Sequence, residues 1–170
     1  PFPEVTYDWS ENHILGNTAL YGATGGTLFA AGRAGERFAV RNSGACGVVD
    51  GVGDNALEYM TGGVVVVLGP TGRNFAAGMT GGMAFVYDPQ GTFVNHCNRE
   101  LVDVDRLTHP GMKKLVRSLL VRHYELTNSP RARELLRNWE EESLSFRRVI
   151  PKDRVAEIES MNEFSDFKVT

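Results

Sequence analysis

The sequence predicts a mainly β protein: a right-handed parallel β-helix, wound as a single-stranded solenoid and followed by a small α-helical C-terminal extension. Three observations carry this prediction. A glycine dipeptide recurs at a nearly fixed interval, β-branched runs lie between the glycines, and the chain changes composition near residue 100. Residues 1–100 hold 18 of the 19 glycines but only 5 of the 18 lysines and arginines. We therefore expect a β-helix domain over residues 1–103 and a helical extension over residues 104–170 that packs on it.

The repeat sets the size of one structural unit. The dipeptides Thr24-Gly25, Ser43-Gly44, Thr61-Gly62 and Thr80-Gly81 follow one another at intervals of 19, 18 and 19 residues. A helical hairpin repeat needs roughly 34 residues, so helical repeats are excluded. Two or three short strands joined by tight corners fit the interval, and such units stack as the layers of a solenoid at about 4.8 Å spacing.

Glycines are expected at the corners of each layer. A corner turns the backbone sharply, often with positive φ, and stacked corners leave no space for a Cβ atom. A flexible linker is the alternative for a glycine-rich stretch, but linkers lack fixed periods and valine runs. The predicted structural corner glycines are Gly25, Gly26, Gly44, Gly62, Gly63, Gly81 and Gly82.

The stretches between the glycines are short and apolar, and Val64-Val65-Val66-Val67-Leu68 is a strand on propensity alone. Four apolar residues at similar places in successive layers are expected to stack inside the coil as a ladder. They are Leu28, Val48, Val66 and Phe85.

The second part of the chain predicts amphipathic helices. Thr108 or His109 followed by Pro110 begins one helix, and Ser129 followed by Pro130 begins a second. The helices are expected to cover the side or the end of the solenoid, where strand groups are unpaired. Residues 146–151 alternate like an extended segment, and residues 163–170 resemble a fraying tail or a cut connection. Because Pro1-Phe2-Pro3 is no natural start, we expect the chain to be a fragment.

Composition narrows the class of protein. The net charge is −3 and no basic run is interleaved with aromatic residues, which disfavours nucleic-acid binding. Cys46 and Cys97 lie 51 residues apart without metal-ligand spacing, which is typical of a reducing compartment. No apolar run approaches 18 residues and no signal peptide is present, so we expect no membrane association and a cytoplasmic location.

The candidates for chemistry are weak. Gly51-Val52-Gly53 and Gly69-Pro70-Thr71-Gly72 are incomplete nucleotide-binding motifs and are better interpreted as coil corners. His96 and Cys97 are adjacent, whereas a nucleophile and its base usually come from separate elements. Asp50, Asp54 and Glu58 resemble the acidic cluster of a β-helix polysaccharide enzyme. His13, His109 and His123 lack metal-ligand spacing, and we expect them to be solvated or hydrogen-bonded. We predict no catalytic, cofactor-binding or metal-binding residue.

One polar set has two interpretations of equal weight. Arg37 and Asn74 fall on corresponding turns of the predicted coil with Arg41 nearby, and together with Arg73 they are expected to form a polar strip. The strip is either a solvated face or a set of contacts to a neighbouring domain.

Several long strings resemble one known family. They are residues 16–24, residues 29–45, Glu58-Tyr59-Met60-Thr61-Gly62-Gly63 and Gly72-Arg73-Asn74-Phe75-Ala76-Ala77-Gly78-Met79, with Asn128-Ser129-Pro130, Asn138-Trp139 and residues 146–153 in the helical part. The chain resembles the C-terminal β-helix (GXGXG) domain of the glutamate synthase large (alpha) subunit, from about residue 12 to residue 155. It departs from the family at Arg154, where an aromatic residue is expected.

This resemblance implies a non-catalytic structural domain in a multidomain enzyme of glutamate biosynthesis and ammonia assimilation. The enzyme converts L-glutamine, 2-oxoglutarate and reductant to two L-glutamates. The implied partners are an amidotransferase domain and an FMN-binding synthase domain, which this domain holds apart while it helps to enclose the ammonia tunnel between them. The implied cofactors, FMN and a 3Fe-4S cluster, belong to the parent enzyme and not to this segment. The electron donor, whether NADPH, NADH or ferredoxin, stays open.

Two other classes remain open at this point. The chain resembles the stand-alone β-helix protein of formylmethanofuran dehydrogenase, which should lack the helical tail. A β-helix enzyme that acts on polysaccharide would need the carboxylates of Asp50 and Asp54 on one face of the coil.

Overall fold

The structure is a computed structural model that describes residues 11–161 and residue 164. Its core is a seven-stranded sheet with the strand order β1-β2-β3-β4-β5-β7-β6. The strands are β1 His13–Leu15, β2 Thr27–Ala34, β3 Ser43–Gly51, β4 Thr61–Val67, β5 Gly81–Tyr87, β6 Val102–Arg106 and β7 Phe146–Pro151. The helices are α1 Pro110–Thr127, α2 Pro130–Arg137, α3 Trp139–Glu142 and α4 Val155–Glu159.

The first five strands are the strands of a parallel solenoid of about four turns, with a short helical part after it, which confirms the predicted fold class. Each strand pairs in parallel with the strand one repeat later, so that Val48 lies opposite Val66 and Val66 lies opposite Phe85. The parallel register follows the 18 to 19 residue interval of the glycines. Sequence periodicity is therefore converted directly into strand pairing.

Both faces of this sheet are buried, which explains why β4 is a continuous valine run and not an alternating one. One face of the sheet points into the coil, where it packs in one apolar cluster with Phe38, Leu57 and Phe75. The other face lies against the helices and includes Val66 and Phe85. The chain thus has two apolar cores that share one sheet.

The predicted ladder needs two corrections. Val48, Val66 and Phe85 do stack, but they lie on the helix-covered face and not inside the coil. Phe29, and not Leu28, is the residue opposite Val48. A shift of one residue moves a side chain to the other face of a strand, so Leu28 packs against the coil interior instead.

Each turn also contains a segment that the sequence did not predict. In these segments, which we call the left-handed arcs, every second residue has positive φ, as in Arg37, Ala39 and Arg41 with φ of 58°, 56° and 54°. The arcs occupy residues 18–22, 37–41, 55–59 and 74–78. The N–H groups of the residues with positive φ point alternately to the next and to the preceding turn. The N–H of Arg37 donates to the carbonyl of Asp54 in the next turn, and the N–H of Ala39 donates to that of Ala19 in the preceding turn. These interlayer bonds satisfy the backbone where no strand is present.

The two predicted helix starts are confirmed. The His109 ring accepts a hydrogen bond from the N–H of Met112 at the start of α1, and the Ser129 hydroxyl accepts one from Ala132 at the start of α2. Helix α1 packs on β2 and β3, so the helices cover the side of the solenoid. Among the described residues, no helix combines the length and the apolar character needed to cross a membrane.

The end of the coil is covered by a strand. Residues 146–151 are extended as predicted and form β7, which pairs antiparallel with β5 and with β6. The division of the chain after residue 103 stays a prediction. The tail predicted over residues 163–170 lies outside the described residues except for Phe164, whose side chain is buried.

Candidate interdomain surface

The first glycine of each recurring pair lies against the backbone of the preceding turn. A methyl group on Gly62 would overlap the carbonyl oxygen of Ser43, and one on Gly81 would overlap that of Thr61. Gly44 meets the preceding turn in the same way. None of these three residues has positive φ, so close approach and not backbone conformation excludes a side chain.

The second glycine of a pair has the conformational role. Gly26, Gly63 and Gly82 have φ of 88°, 88° and 79°, a region that glycine occupies at least cost. No described atom lies within 4 Å of the position that a Cβ of Gly25 would take. In the last two pairs the first glycine thus admits no Cβ and the second has positive φ. The corner role of the seven glycines stays a prediction.

Asn42 is a structural residue that sequence reasoning missed. Its side chain is buried, donates from Nδ2 to the carbonyl of Ala45 at 2.9 Å and accepts from the N–H of Ala45 at 2.9 Å. Ala45 stands where the three other turns have their second glycine, Gly26, Gly63 and Gly82. The position of Asn42, just before this one glycine-poor corner, is the signal that could have identified it.

A polar ladder runs along the arcs. The amide of Asn98 donates to the side-chain oxygen of Asn74 at 3.1 Å, and that of Asn74 donates to Asn55 at 3.1 Å and to the carboxylate of Glu58 at 2.9 Å. Asn74 is thus fully engaged within the chain. A contact from Asn74 to a neighbouring domain would compete with these bonds.

Arg73 is engaged too. Its N–H donates to Asp54 at 2.7 Å, and its guanidinium reaches the other carboxylate oxygen of Asp54 at 3.0 Å. The backbone hydrogen bond from Arg73, followed by its side-chain bond, lowers the pKa of Asp54 below its ordinary value. Both groups therefore connect successive turns of the coil.

Arg37 and Arg41 differ from Arg73. Both side chains are exposed, and among the described residues neither guanidinium has a hydrogen bond or an ion pair within the chain. Both residues nevertheless hold positive φ, which most side chains avoid. The structure thus separates the four residues of the predicted polar strip into two that are engaged internally and two that are available.

A buried polar pair lies under α1. The Nε2 atom of His123 is 3.9 Å from Oδ1 of Asp50, and both side chains are fully buried. Neither side chain has a hydrogen-bond partner in the described part of the chain, and the ring of Phe29 lies 5.9 Å from that of His123. The prediction that His123 is solvated or hydrogen-bonded is wrong, because the residue occupies the apolar stripe of α1.

The acidic residues do not share a face. Asp50 points towards α1, whereas Asp54 and Glu58 bond to neighbouring turns on the arcs. This arrangement differs from a polysaccharide-cleaving carboxylate cluster, which must be open to substrate.

The His96–Cys97 pair has no activated thiol. Burial raises the pKa of Cys97 to about 12 and that of Cys46 to about 12, so both thiols stay protonated at neutral pH. The Nδ1 atom of His96 is 2.9 Å from the carbonyl oxygen of Thr71. His96 also lines an open pocket of about 230 Å³ beside Tyr87.

The remaining histidines are separated. His13 is exposed in β1, and His109 caps α1, with Nε2 also 3.2 Å from the carbonyl oxygen of Glu159. Within residues 11–161 and residue 164, no group of three or more His, Cys, Asp or Glu residues could hold a metal ion.

Comparisons with known proteins agree with this geometry. A family model described as the GXGXG motif matches residues 1–152. The chain is 45% identical over 151 residues to ferredoxin-dependent glutamate synthase 2 of Synechocystis sp., which covers 89% of this chain and 10% of that protein. It is 49% identical over 151 residues to ferredoxin-dependent glutamate synthase 1 of Arabidopsis thaliana, which covers 89% of this chain and 9% of that protein.

The likeness is not limited to ferredoxin-dependent proteins. The chain is 47% identical over 154 residues to the glutamate synthase [NADPH] large chain of Bacillus subtilis, with 90% of this chain and 10% of that protein covered. It thus spans about a tenth of the length of these relatives. Because the family model covers most of the sequence and the same repeat builds the observed solenoid, the chain belongs to the GXGXG motif family.

Proposed function

We propose that this chain is a non-catalytic structural domain of a glutamate synthase. The observation that carries the proposal is the 45 to 49% identity to a tenth of several glutamate synthases, over nearly the whole chain. The reaction consumes L-glutamine, 2-oxoglutarate and reductant and gives two L-glutamates. FMN and the 3Fe-4S cluster are assigned in this proposal to other domains, and the location to the cytoplasm.

The proposed task is mechanical. The solenoid holds the amidotransferase domain and the FMN-binding synthase domain at a fixed separation and helps to enclose the ammonia tunnel. Two observations support this task. Interlayer hydrogen bonds run along the coil in both the strands and the arcs, and the sheet is buried on both faces, so the coil is stiff along its axis.

The groups that resemble catalytic residues are engaged in structure. Asp54 is held by Arg73, the His96 ring lies against the carbonyl of Thr71, and both thiols have raised pKa. A stand-alone β-helix protein like that of formylmethanofuran dehydrogenase is not favoured, because α1 and α2 are built onto the coil and the relatives named above are glutamate synthases.

A turn-insertion experiment tests the spacer function in a full-length glutamate synthase that carries this chain. Residues 62–80 form one repeat, and duplicating them lengthens the coil by about 4.8 Å. We expect glutamine hydrolysis and ammonia-dependent glutamate formation to persist separately. The ratio of glutamine hydrolysed to 2-oxoglutarate consumed should rise well above one, because ammonia escapes.

The control is a variant with Arg133→Gln on the exposed surface of α2, which should keep the ratio at one. Retention of the flavin absorption spectrum checks that the rest of the enzyme is folded. A ratio of one in the lengthened enzyme, with the extra turn verified by proteolytic mapping, would refute the spacer function.

A further inference from the structure

We propose that Arg37 and Arg41 form a docking surface for carboxylate side chains on another domain of the same polypeptide. The inference deepens the proposed function and rests on it, since it takes the chain to be one domain of a longer protein. It identifies which face of the coil is in contact and which chemistry the partner presents.

The first argument is the availability of the two charges. Arg73, which directly precedes the arc at residues 74–78, has three hydrogen bonds to Asp54. Among the described residues, the guanidinium groups of Arg37 and Arg41 have none, although Glu36 is the chain neighbour of Arg37 and Glu58 lies one turn from Arg41. Glu58 instead accepts from Asn74. Asn55, Glu58 and Asn74 of the arcs thus bond to one another, whereas these two guanidinium groups have no internal partner in the part of the chain that the structure describes.

The second argument is conformational. Arg37 and Arg41 both have positive φ, a backbone region that favours glycine and asparagine. At the position of Arg37 the two following turns have Asn55 and Asn74. The interlayer bond from the Arg37 N–H fixes this backbone whatever the side chain is. Among the described residues the arginine side chain adds no hydrogen bond or ion pair, whereas the asparagines of the later turns bond to each other, and an external contact accounts for the presence of arginine.

The residues at the position of Arg41 in the neighbouring turns lead to the same conclusion. The N–H of Gly22 donates to Val40, and that of Arg41 donates to Glu58, so Arg41 lies between Gly22 and Tyr59 on successive turns. The glycine leaves one side of the arginine open. On the other side, the ring of Tyr59 is 58% exposed and lies across Gly78.

Exposed arginine and tyrosine side chains that are held on a rigid backbone are the residue types that dominate binding energy at protein interfaces. The guanidinium forks match carboxylates in shape and charge. The occupant is therefore a surface with aspartate or glutamate side chains. About nine tenths of the relatives' length lies outside the segment that this chain matches, and in a longer polypeptide of that kind such a surface has a source.

Zero-length cross-linking tests the contact. A full-length glutamate synthase that carries this chain, with Arg41→Lys, is treated with a carbodiimide, which couples amines to carboxylates in direct contact. Mass spectrometry should find position 41 linked to an aspartate or glutamate outside residues 1–170, and the link should be missing in the Arg41→Gln variant. The matched control is Arg133→Lys, on the exposed surface of α2, which should form no such link.

The chain's own lysines separate the two possible failures. Links from Lys113, Lys114 or Lys152 to other domains, with position 41 linked only internally or not at all, would overturn the docking surface and leave the proposed spacer standing. Only internal links from every lysine and from position 41 would overturn both.

A second measurement does not depend on a new amine. Ionic contacts at a domain interface are screened by salt. In the full-length protein, Arg37→Gln combined with Arg41→Gln should increase the rate of limited proteolysis between this domain and its neighbours several-fold at low salt. About 0.5 M salt should bring the wild type to the same rate. Equal rates for the double variant, the wild type and the Arg133→Gln control at low salt would contradict the proposal.

Discussion

At the scale of single residues, Gly62 and Gly81 report how closely successive turns approach. A Cβ atom at either position would overlap a carbonyl oxygen of the turn before it. We predict that Gly62→Ala and Gly81→Ala each lower the free energy of unfolding by about 2 to 3 kcal/mol, because the backbone has to move to admit the methyl group. Urea titration followed by circular dichroism measures the change.

The matched control is Gly25→Ala, which fills the same place in the first pair. No described atom lies within 4 Å of its Cβ position, and the expected change stays within about 1 kcal/mol. Equal losses at all three positions would show that close approach is not what distinguishes Gly62 and Gly81.

Asp54 gives a prediction for pH. Its pKa is lowered in the folded state by Arg73, so its carboxylate stabilises the fold above the ordinary aspartate pKa of about 3.9. This stabilisation is lost as pH falls through the lower folded value. We predict that Asp54→Asn lowers the urea midpoint at pH 7 and that the difference from wild type narrows steadily below pH of about 4.

Glu36→Gln is the comparison for Asp54, since the exposed carboxylate of Glu36 has no ion pair among the described residues. Its midpoint should follow the wild type at both pH values. A difference between Asp54→Asn and wild type that stays constant across the whole pH range would mean that ionisation of Asp54 does not contribute to stability.

The arcs show where residue-level reasoning stops. Glycine marks positions of positive φ in a sequence, but Leu20, Leu57 and Ala76 hold positive φ without any such mark. The N–H groups of Leu57 and Ala76 have interlayer partners, as in the bond from Leu57 to the carbonyl of Phe38 at 2.8 Å. Tertiary hydrogen bonds override local preference at these positions, and a single sequence does not display them.

At the scale of elements, Asp50 and His123 test how α1 is fixed on the sheet. Each is buried, and within residues 11–161 neither has another polar partner. We predict that Asp50→Val or His123→Leu alone lowers the free energy of unfolding by about 3 kcal/mol, because the other polar group stays buried and unpaired. The combined change should recover most of that loss, since two apolar groups of similar volume replace the pair.

A double-mutant cycle in urea provides the measurement for this pair. The control is Leu119→Ala, one turn earlier on the same stripe, which should lower the free energy of unfolding by about 2 to 5 kcal/mol. If Leu119 and Asp50 are independent, the losses of Leu119→Ala and Asp50→Val should add. Additive losses for Asp50→Val and His123→Leu would show that the two side chains do not interact.

Helix starts were predictable, whereas contacts between elements were not. Pro110 and Pro130 with their preceding caps identified α1 and α2, because capping is a local interaction. The contact of His123 with Asp50 joins residues 73 positions apart, and only the place of His123 four residues after Leu119 on the apolar stripe hints at burial. The wrong assignment of Leu28 has the same origin, since a one-residue slip in register moves every side chain of a strand to the other face of the sheet and no local signal corrects it.

At the scale of the whole molecule, the two thiols report cooperative opening. Burial raises the pKa of Cys46 and Cys97 to about 12, so few thiolates exist at pH 8. We predict that both cysteines react with an aromatic disulfide reagent at least tenfold more slowly than the same chain in guanidinium chloride, because only the thiolate attacks. Absorbance of the released thiolate measures both rates.

The Cys46→Ser variant shows which cysteine gives which reaction rate, since Cys97 alone then reacts. Rapid reaction of either thiol in the folded chain at pH 8 would show that its part of the structure opens without global unfolding.

The overall architecture followed from one long-range regularity. The 18 to 19 residue interval of the glycine pairs predicted a stack of parallel turns, and the pairing of Val48 with Val66 and of Val66 with Phe85 has that spacing. The candidate interdomain surface was harder to predict from the sequence. Nothing in the sequence distinguishes Arg37 and Arg41 from Arg73 and Asn74, and only the side-chain positions show that Arg73 and Asn74 are bonded within the coil.

The antiparallel strand β7 has a consequence for association between copies of this chain. A parallel solenoid with a bare last strand would offer a template on which another copy could continue the winding, which leads to filaments. Here β7 occupies the edge of β5, and the outermost strand, β6, is only five residues long and includes Asp103, Asp105 and Arg106. Short, charged edges resist intermolecular pairing. The reversed direction of β7 thus prevents strand pairing between copies at this end of the stack.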